Sequence, residues 1–280
     1  MRALGCRAHD FGRLGAEELG SRVSAAGFTC VQLAPAKAIE GIKHRPGALD
    51  PARAAAISAS LAARGVRIAV LGCYINPIHP DPEERESSIR RFAESLALAR
   101  VFGCGIVATE TGSLNADCSF HPGNSGKAAF SELVGSLETI AVEAERHGVY
   151  ACIEGVASHV ASSPARLAAI LEAVPSPWLR VLFDPVNLLT ASTWGEQGRM
   201  FEEAESLLGG RILAFHAKDF QIEGVVSRVC PPCRGLLDYG RFLDMAERVA
   251  PDADVLIEDL RPADMAGARE FLLSRLGGRG

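Results

Sequence analysis

The chain has 280 residues, a length that fits one large domain or two small ones, and 48% of them are hydrophobic, which is enough for a substantial core. Its net charge of −5 gives no electrostatic footprint for nucleic acid, and an anionic substrate would need locally placed Arg or Lys. The apolar runs are too short to cross a membrane, and residues 1–10 lack the apolar core of a signal peptide. We therefore expect a cytoplasmic protein that binds neither membrane nor nucleic acid.

Apolar runs typical of strands alternate with segments of helical periodicity along the chain. The strands are predicted at residues 3–7, 29–33, 67–72, 105–109, 149–154, 180–184, 212–216 and 254–258. Asp-Pro at 50–51 and 81–82 and Ser-Pro at 163–164 are typical helix starts, which predicts helices up to Gly65 and Gly103 and another after 164. A long helix is predicted at 128–147, before Gly148.

Eight strands alternating with eight helices leave two folds, a closed (β/α)₈ barrel and an open doubly wound sheet. No Gly-x-Gly-x-x-Gly follows the first strand, which removes the best signal for a dinucleotide-binding sheet. The count of eight and the polar strand ends favour an α/β fold with a single (β/α)₈ TIM barrel, one domain over residues 1–280. The longest loops after strands are predicted at 34–49, 110–126, 187–195 and 218–239, where barrels build substrate pockets.

Four consecutive predicted strands end in residue types that bind metals: Glu154, Asp184, His216 and Glu258. A carboxylate at the end of a buried strand is costly unless it is paired or binds a metal, and in a barrel this position faces the active-site mouth. For each acid alone, pairing with Arg or capping a helix is the alternative. Three carboxylates with one imidazole suit Mn²⁺, which we expect first, or Mg²⁺, with Co²⁺ or Zn²⁺ as further options.

Five motifs then give a specific resemblance: IEGVASH (153–159), FDPVNLL (183–189), HAKDF (216–220), GLLDY (235–239) and IED (257–259). They resemble the xylose isomerase-like sugar phosphate isomerase/epimerase superfamily. The resemblance implies a (β/α)₈ barrel with one divalent metal held by Glu154, Asp184, His216 and Glu258. It also implies isomerisation or epimerisation of a sugar or sugar derivative through a metal-stabilised enediolate, with Glu154 and Glu258 as the acid/base pair.

The same resemblance leaves other functions open. A dehydratase acting on a keto-inositol or dehydroshikimate-like substrate is the nearest alternative, because the same enediolate can expel a β-hydroxyl as water. A non-catalytic sugar-binding barrel is a second alternative. Replacement of metal ligands by other residue types would favour it, but all four ligand residues are present in this sequence. The partner is expected to be a small carbohydrate or cyclitol, whose identity and phosphorylation stay open. A homo-oligomer is implied by the relatives, which are often dimers or tetramers.

The chain also departs from its relatives at three places. Asn187 stands where many have a His, and no His follows two residues after Asp219, which together argue against a repair nuclease with a zinc cluster. Cys233-Arg234-Gly235 stands where many have Gly-Glu-Gly. Cys230 and Cys233 are spaced like the cysteine pairs of redox-active or zinc-binding sites. Two cysteines alone cannot fill a tetrahedral zinc site, so the simpler interpretation is that they are loop residues without a role.

Polar residues at or just after other strand ends are the candidates for substrate contact. Lys218 has the same strand parity as His216 and is a candidate donor to a substrate oxygen or phosphate, although a surface lysine is the alternative. The predicted substrate-binding set is His9, Tyr74, Asn76, Glu110, His159, Asn187 and Lys218.

Overall fold

The computed structural model describes residues 3–277 and contains ten strands in that range. They are β1 (Leu4–Arg7), β2 (Cys30–Leu33), β3 (Arg67–Gly72), β4 (Ile106–Glu110), β5 (Tyr150–Glu154), β6 (Leu179–Phe183), β7 (Ile212–Ala217), β8 (Asp219–Glu223), β9 (Val226–Cys230) and β10 (Asp254–Ile257). Eight of them pair in parallel and close in the order β1-β10-β7-β6-β5-β4-β3-β2, while β8 and β9 form a separate antiparallel hairpin. The predicted (β/α)₈ barrel is confirmed.

Nine α-helices lie in the same range and surround the barrel. They are α1 (Ala16–Ala25), α2 (Pro35–Ala38), α3 (Pro51–Ala62), α4 (Pro82–Ala99), α5 (Lys127–His147), α6 (Pro164–Ala173), α7 (Gln197–Leu208), α8 (Tyr239–Val249) and α9 (Met265–Gly277). The predicted helix starts are present, because Asp50, Asp81 and Ser163 each accept a backbone N–H of the first turn. None of these helices is long and apolar enough to cross a bilayer.

The element boundaries differ from the prediction where the backbone leaves regular geometry. Strand β6 ends at Phe183, one residue before Asp184, because Pro185 has no N–H to continue the ladder. Strand β10 ends at Ile257, because Asp259 adopts a left-handed conformation with φ of 58°. The predicted loop 218–239 contains the hairpin β8–β9, and α4 ends at Ala99, four residues before Gly103.

The barrel interior is filled by small and medium side chains: Cys30, Ala69, Val70, Ala108, Cys152, Leu182, Ala214 and Leu256. Strand side chains alternate between the two faces, so the residue two positions later points to the same side. Two positions after Cys152, Leu182, Ala214 and Leu256 come the four predicted metal ligands, which therefore project into the barrel at its carboxyl end. A larger core lies between the strands and the helices.

Gly5 marks the tightest approach in this interior. A Cβ added there would lie 2.5 Å from the Sγ of Cys30 and 2.7 Å from the Cδ2 of Leu256. Gly5→Ala is therefore expected to lower the free energy of unfolding by about 2–3 kcal/mol through overpacking, measured by urea denaturation.

Gly135→Ala is the matched control for that substitution. Gly135 lies in α5 with no atom near the added Cβ, so the same chemical change should raise stability by about 0.5–1 kcal/mol. Equal stability of Gly5→Ala and the unchanged protein would contradict the steric argument.

Candidate metal centre

Four buried side chains from four barrel strands meet at the carboxyl end of the barrel. One ligand atom from each lies within 4.8 Å of every other, and each residue is at most 3% exposed. The residues are Glu154 at the end of β5, Asp184 after β6, His216 in β7 and Glu258 after β10. Three carboxylates crowded in a buried site need compensating positive charge, and this donor set suits a divalent cation.

The imidazole of His216 is oriented with Nδ1 toward the carboxylates. Nδ1 lies 3.1 Å from Oε1 of Glu154 and 3.3 Å from Oε2 of Glu258. On the other side, Nε2 donates to Oε1 of Gln32 at 2.6 Å, and Nε2 of Gln32 donates to the hydroxyl of Tyr74 at 2.5 Å. The Gln32 contact holds one proton on Nε2, so Nδ1 is the nitrogen that gives up its proton when a metal binds.

One oxygen of Asp184 has an ion pair but no hydrogen bond. Its Oδ1 accepts the backbone N–H groups of Val186 and Asn187 at 2.8 and 3.0 Å. Its Oδ2 is buried and accepts no hydrogen bond, although Nζ of Lys218 lies 3.1 Å away. A buried carboxylate oxygen without a hydrogen bond fits a ligand that is a cation. The cluster can therefore hold a metal ion.

Two cations lie on the Glu258 side of the cluster. The buried ammonium of Lys218 donates to Oε1 of Glu258 and to Oδ2 of Asp259, the latter at 3.1 Å. Arg7, the last residue of β1, lies 3.3 Å from Oε2 of Glu258 and also pairs with Asp259. Asp259 thus joins both cations from its left-handed backbone position. The charge around the two glutamates is unequal, because Glu154 has neither of these cations as a hydrogen-bond partner.

The pKa values follow this arrangement. Burial raises the pKa of Glu154 to about 7, against the opposing effect of His216. Burial alone would also raise the pKa of Glu258, but His216, Lys218 and Arg7 outweigh it and hold that pKa well below its usual range. Burial would lower the pKa of His216, but the carboxylates of Glu258 and Glu154 outweigh it and raise that pKa to about 9.

Binding of a divalent cation is therefore expected to release protons and to strengthen as the pH rises. At pH 8, His216 is protonated and Glu154 is ionised, so about one proton should leave for each ion bound. Below pH 7 both groups hold a proton and about two should leave, whereas above pH 9 the affinity should become independent of pH. Calorimetry in two buffers of different ionisation enthalpy measures the number of protons released for each ion bound. Binding without proton release at pH 8 would contradict the assignment of His216 as a ligand.

A comparison with known protein families agrees with this geometry. The family model described as "Xylose isomerase-like TIM barrel" matches residues 21–274. The chain belongs to this xylose isomerase-like family. The predicted resemblance is confirmed at the level of the family. No curated protein is a significant match to the chain.

Several solved structures share the fold at low sequence identity. A xylose isomerase-like TIM barrel protein from Mycobacterium smegmatis in complex with magnesium has a TM-score of 0.76 and 16% identity, covering 99% of this chain and 97% of that one. A D-psicose 3-epimerase in the presence of D-fructose has a TM-score of 0.74 and 16% identity, covering 98% and 99%. A probable 3-DHS dehydratase from Bacillus anthracis has a TM-score of 0.73 and 14% identity, covering 98% and 100%.

Two of the predicted substrate-binding residues contact the cluster itself. Asn187 donates from Nδ2 to Oε1 of Glu154 at 2.8 Å and so orients this glutamate. Lys218 reaches Asp184 and Glu258 as described above. Tyr74 is linked to the cluster through Gln32, which bonds to both Tyr74 and His216.

Of three further candidates, one ends a barrel strand and two lie in the segments that follow β1 and β5. Glu110 ends β4 and pairs in register with Glu154 of the neighbouring strand. The carboxylate of Glu110 lies 3.5 Å from Nδ1 of His159, whose Nε2 donates to the carbonyl of Cys118.

The buried Nδ1 of His9 makes no hydrogen bond, and burial, then Arg7 and Lys37, lower the pKa of His9 to about 4. His9 is therefore neutral at pH 7.

Asn76 uses its whole amide to hold loops together. Its Nδ2 donates to the carbonyls of Ser113 and Asn115 at 2.8 and 3.0 Å, and its Oδ1 accepts the N–H groups of Ser113 and Ile78. These contacts fix the loop after β3 against the loop after β4. They leave little of the Asn76 amide free for a substrate, because an amide has two donor hydrogens and one acceptor oxygen.

Three residues of this site were not predicted from the sequence: Arg7, Gln32 and Asp259. Gln32 carried a usable signal, because it is a polar residue in the apolar run Cys30–Leu33 and has the parity of the interior residue Cys30. Arg7 ends β1 as Glu154 ends β5, but arginine is not a metal-ligand type. The local sequence does not distinguish it from a surface arginine.

Proposed function

We propose that this protein is a divalent-metal-dependent sugar isomerase or epimerase in which Glu258 removes a proton from the substrate and Glu154 returns one to it. The observation that carries the proposal is the meeting of two glutamates, an aspartate and a histidine in one buried cluster with ligand atoms within 4.8 Å. Membership of the xylose isomerase-like family and structural neighbours named as epimerases support it. The substrate is proposed to be a small ketose or a related sugar derivative, and the ion Mn²⁺ or Mg²⁺.

The residues of the cluster divide the chemistry between them. A bound divalent ion would polarise a substrate carbonyl and its neighbouring hydroxyl, which acidifies the C–H bond beside the carbonyl. Glu258 lies against Lys218 and Arg7, and their charges favour the carboxylate form that removes this proton. Glu154 lies across the cluster on a strand separated from β10 by β6 and β7, where it can return a proton to the substrate enediolate.

Proton exchange in D₂O tests this proposal directly. The purified protein with Mn²⁺ or Mg²⁺ is incubated with D-psicose, D-fructose, D-tagatose and L-ribulose, and the products are followed by NMR. We expect deuterium at the carbon beside the carbonyl of at least one sugar, and no incorporation in the Glu258→Gln variant. Binding of a ketose without any exchange would overturn the proposal and favour a non-catalytic sugar-binding barrel.

A dehydratase is the second candidate, favoured by one feature of the site. Lys218 is a buried ammonium beside the cluster, and its charge can stabilise the negative charge that develops on a β-hydroxyl as it leaves. A structural neighbour also carries a dehydratase name. Incubation with keto-inositol and 3-dehydroshikimate distinguishes the two reactions, because mass spectrometry detects a product that has lost one water only if dehydration occurs, whereas isomerisation leaves the mass unchanged.

A further inference from the structure

A second pocket lies outside the metal cluster, between the loop 34–49 and helix α4. It encloses about 550 Å³ of empty space, including the part open to solvent, and none of the four cluster residues lines it. Its wall toward the barrel is formed by Gly72, Cys73 and Tyr74 at the end of β3. The pocket is therefore on the same face of the barrel as the cluster, behind Tyr74.

The lining combines an apolar floor with a cationic rim. The floor residues are Ala34, Ile42, Ala48, Leu49 and Leu98. The rim carries Lys37, Lys43 and Arg45, and none of these three side chains forms an ion pair within residues 3–277. Glu94 is the one acidic residue of the lining, and it accepts the backbone N–H of Gly47. In a chain with a net charge of −5, this rim is a local excess of positive charge.

The loop that forms the pocket is held in place by arginines from outside it. Arg13 donates to the carbonyls of Ile39 and Ile42, and Arg53 donates to the carbonyls of residues 40 and 41. Arg91 of α4 joins the carbonyl of His44 to that of Tyr74, at 3.3 and 2.7 Å. The pocket is thus formed before any ligand binds, which lowers the entropic cost of binding.

Side-chain contacts through Tyr74 link one wall of the pocket to the metal cluster. Nζ of Lys37 lies 4.2 Å from the ring centroid of Tyr74, whose hydroxyl accepts a hydrogen bond from Gln32. Gln32 in turn accepts the hydrogen bond from His216. Tyr74 therefore has its ring against the pocket and its hydroxyl in the network of the cluster.

We propose that this pocket is a second binding site, for an organic oxyanion with an apolar body, such as a small carboxylate or phosphate ester. The apolar floor takes the body, and Lys37, Lys43 and Arg45 contact the anionic group through charge-assisted hydrogen bonds. The anion is either the distal end of the substrate at the metal cluster or a separate metabolite. The proposal concerns binding and stands whether or not the cluster is catalytic.

Binding of para-fluorobenzoate to the metal-free, full-length chain tests the site. We expect fluorine NMR and calorimetry to detect binding, and the neutral isostere para-fluorobenzamide to bind at least ~10-fold more weakly because it lacks the anion. The double substitution Lys43→Met and Arg45→Met should weaken benzoate binding by at least ~10-fold. Ala48→Trp, which fills the floor, should abolish binding in a chain that still shows a cooperative melt.

Lys127→Met is the matched control, because Lys127 is an exposed lysine at the start of α5, outside the pocket lining. It should leave the benzoate affinity unchanged. Equal affinity for the benzoate and the benzamide, binding that survives both pocket variants, or no binding at about 10 mM would overturn the proposal. With a turnover substrate in hand, competitive inhibition by benzoate would assign the pocket to the substrate's own anion. Non-competitive inhibition would assign it to a separate metabolite.

Discussion

Glu258→Gln is expected to lower turnover by at least ~10³-fold while the fold is retained. Glutamine has the shape of glutamate and fits the same space, but its amide neither removes a proton nor carries the charge that pairs with Lys218 and Arg7. Glu154→Gln should give a similar loss, because its amide still accepts from Asn187 but cannot hold a proton and return it to the enediolate. Steady-state kinetics on any substrate found by deuterium exchange measures both effects.

The surface residue Glu205 provides the control for these variants. Its carboxylate pairs with Arg248 on the outside of the barrel at 2.7 Å, so Glu205→Gln removes the same charge without touching the cluster. We expect its turnover to match that of the unchanged protein. Robust activity of either Glu154→Gln or Glu258→Gln would overturn the acid/base assignment, even with metal binding intact.

Asp184→Ala is expected to abolish the stabilisation that a divalent ion gives. A ligand at 100 times its dissociation constant adds about 2.7 kcal/mol, which corresponds to several degrees in the melting temperature of a domain of this size. Asp184 contributes the one cluster oxygen that is buried without a hydrogen bond, so its removal deletes a ligand atom. Thermal melts of the metal-free chain titrated with Mn²⁺ and Mg²⁺ measure the shift.

The metal-free stability of Asp184→Ala should change much less than its response to the ion. The substitution removes one of three neighbouring carboxylates, and this relief of repulsion offsets the lost contacts to Val186, Asn187 and Lys218. Asp117→Asn, on an exposed loop, is the control and should keep the full metal response. A metal-dependent shift of equal size in Asp184→Ala would show that the ion binds elsewhere.

The cluster was predictable because barrel geometry converts strand ends into neighbours. Glu154, Asp184, His216 and Glu258 each follow an apolar strand, and the closed parallel order brings strand ends that are about 30 to 40 residues apart into one site. Their shared parity with the interior residues explains why all four point inward. The number of barrel strands and the helix starts could also be predicted, because each depends on a local sequence pattern.

What could not be predicted depends on contacts between distant loops. Asn76 follows a strand, as the ligands do, yet its amide is taken up by the loop after β4, and no local pattern indicates that loop's path. Arg7 and Asp259 are separated by 251 intervening residues and meet because β1 and β10 are neighbours in the closed barrel. The sequence predicts a loop where the hairpin β8–β9 lies, because Gln221, Glu223 and Arg228 make its strands polar.

The hairpin β8–β9 lets its exposed tip change in sequence independently of the metal cluster. Its two strands are hydrogen-bonded to each other, and Asp219 at its base accepts the backbone N–H groups of Phe220, Gly235 and Leu237. Val225 at its tip is 90% exposed. Changes of sequence or length beyond that base can therefore accumulate without displacing His216.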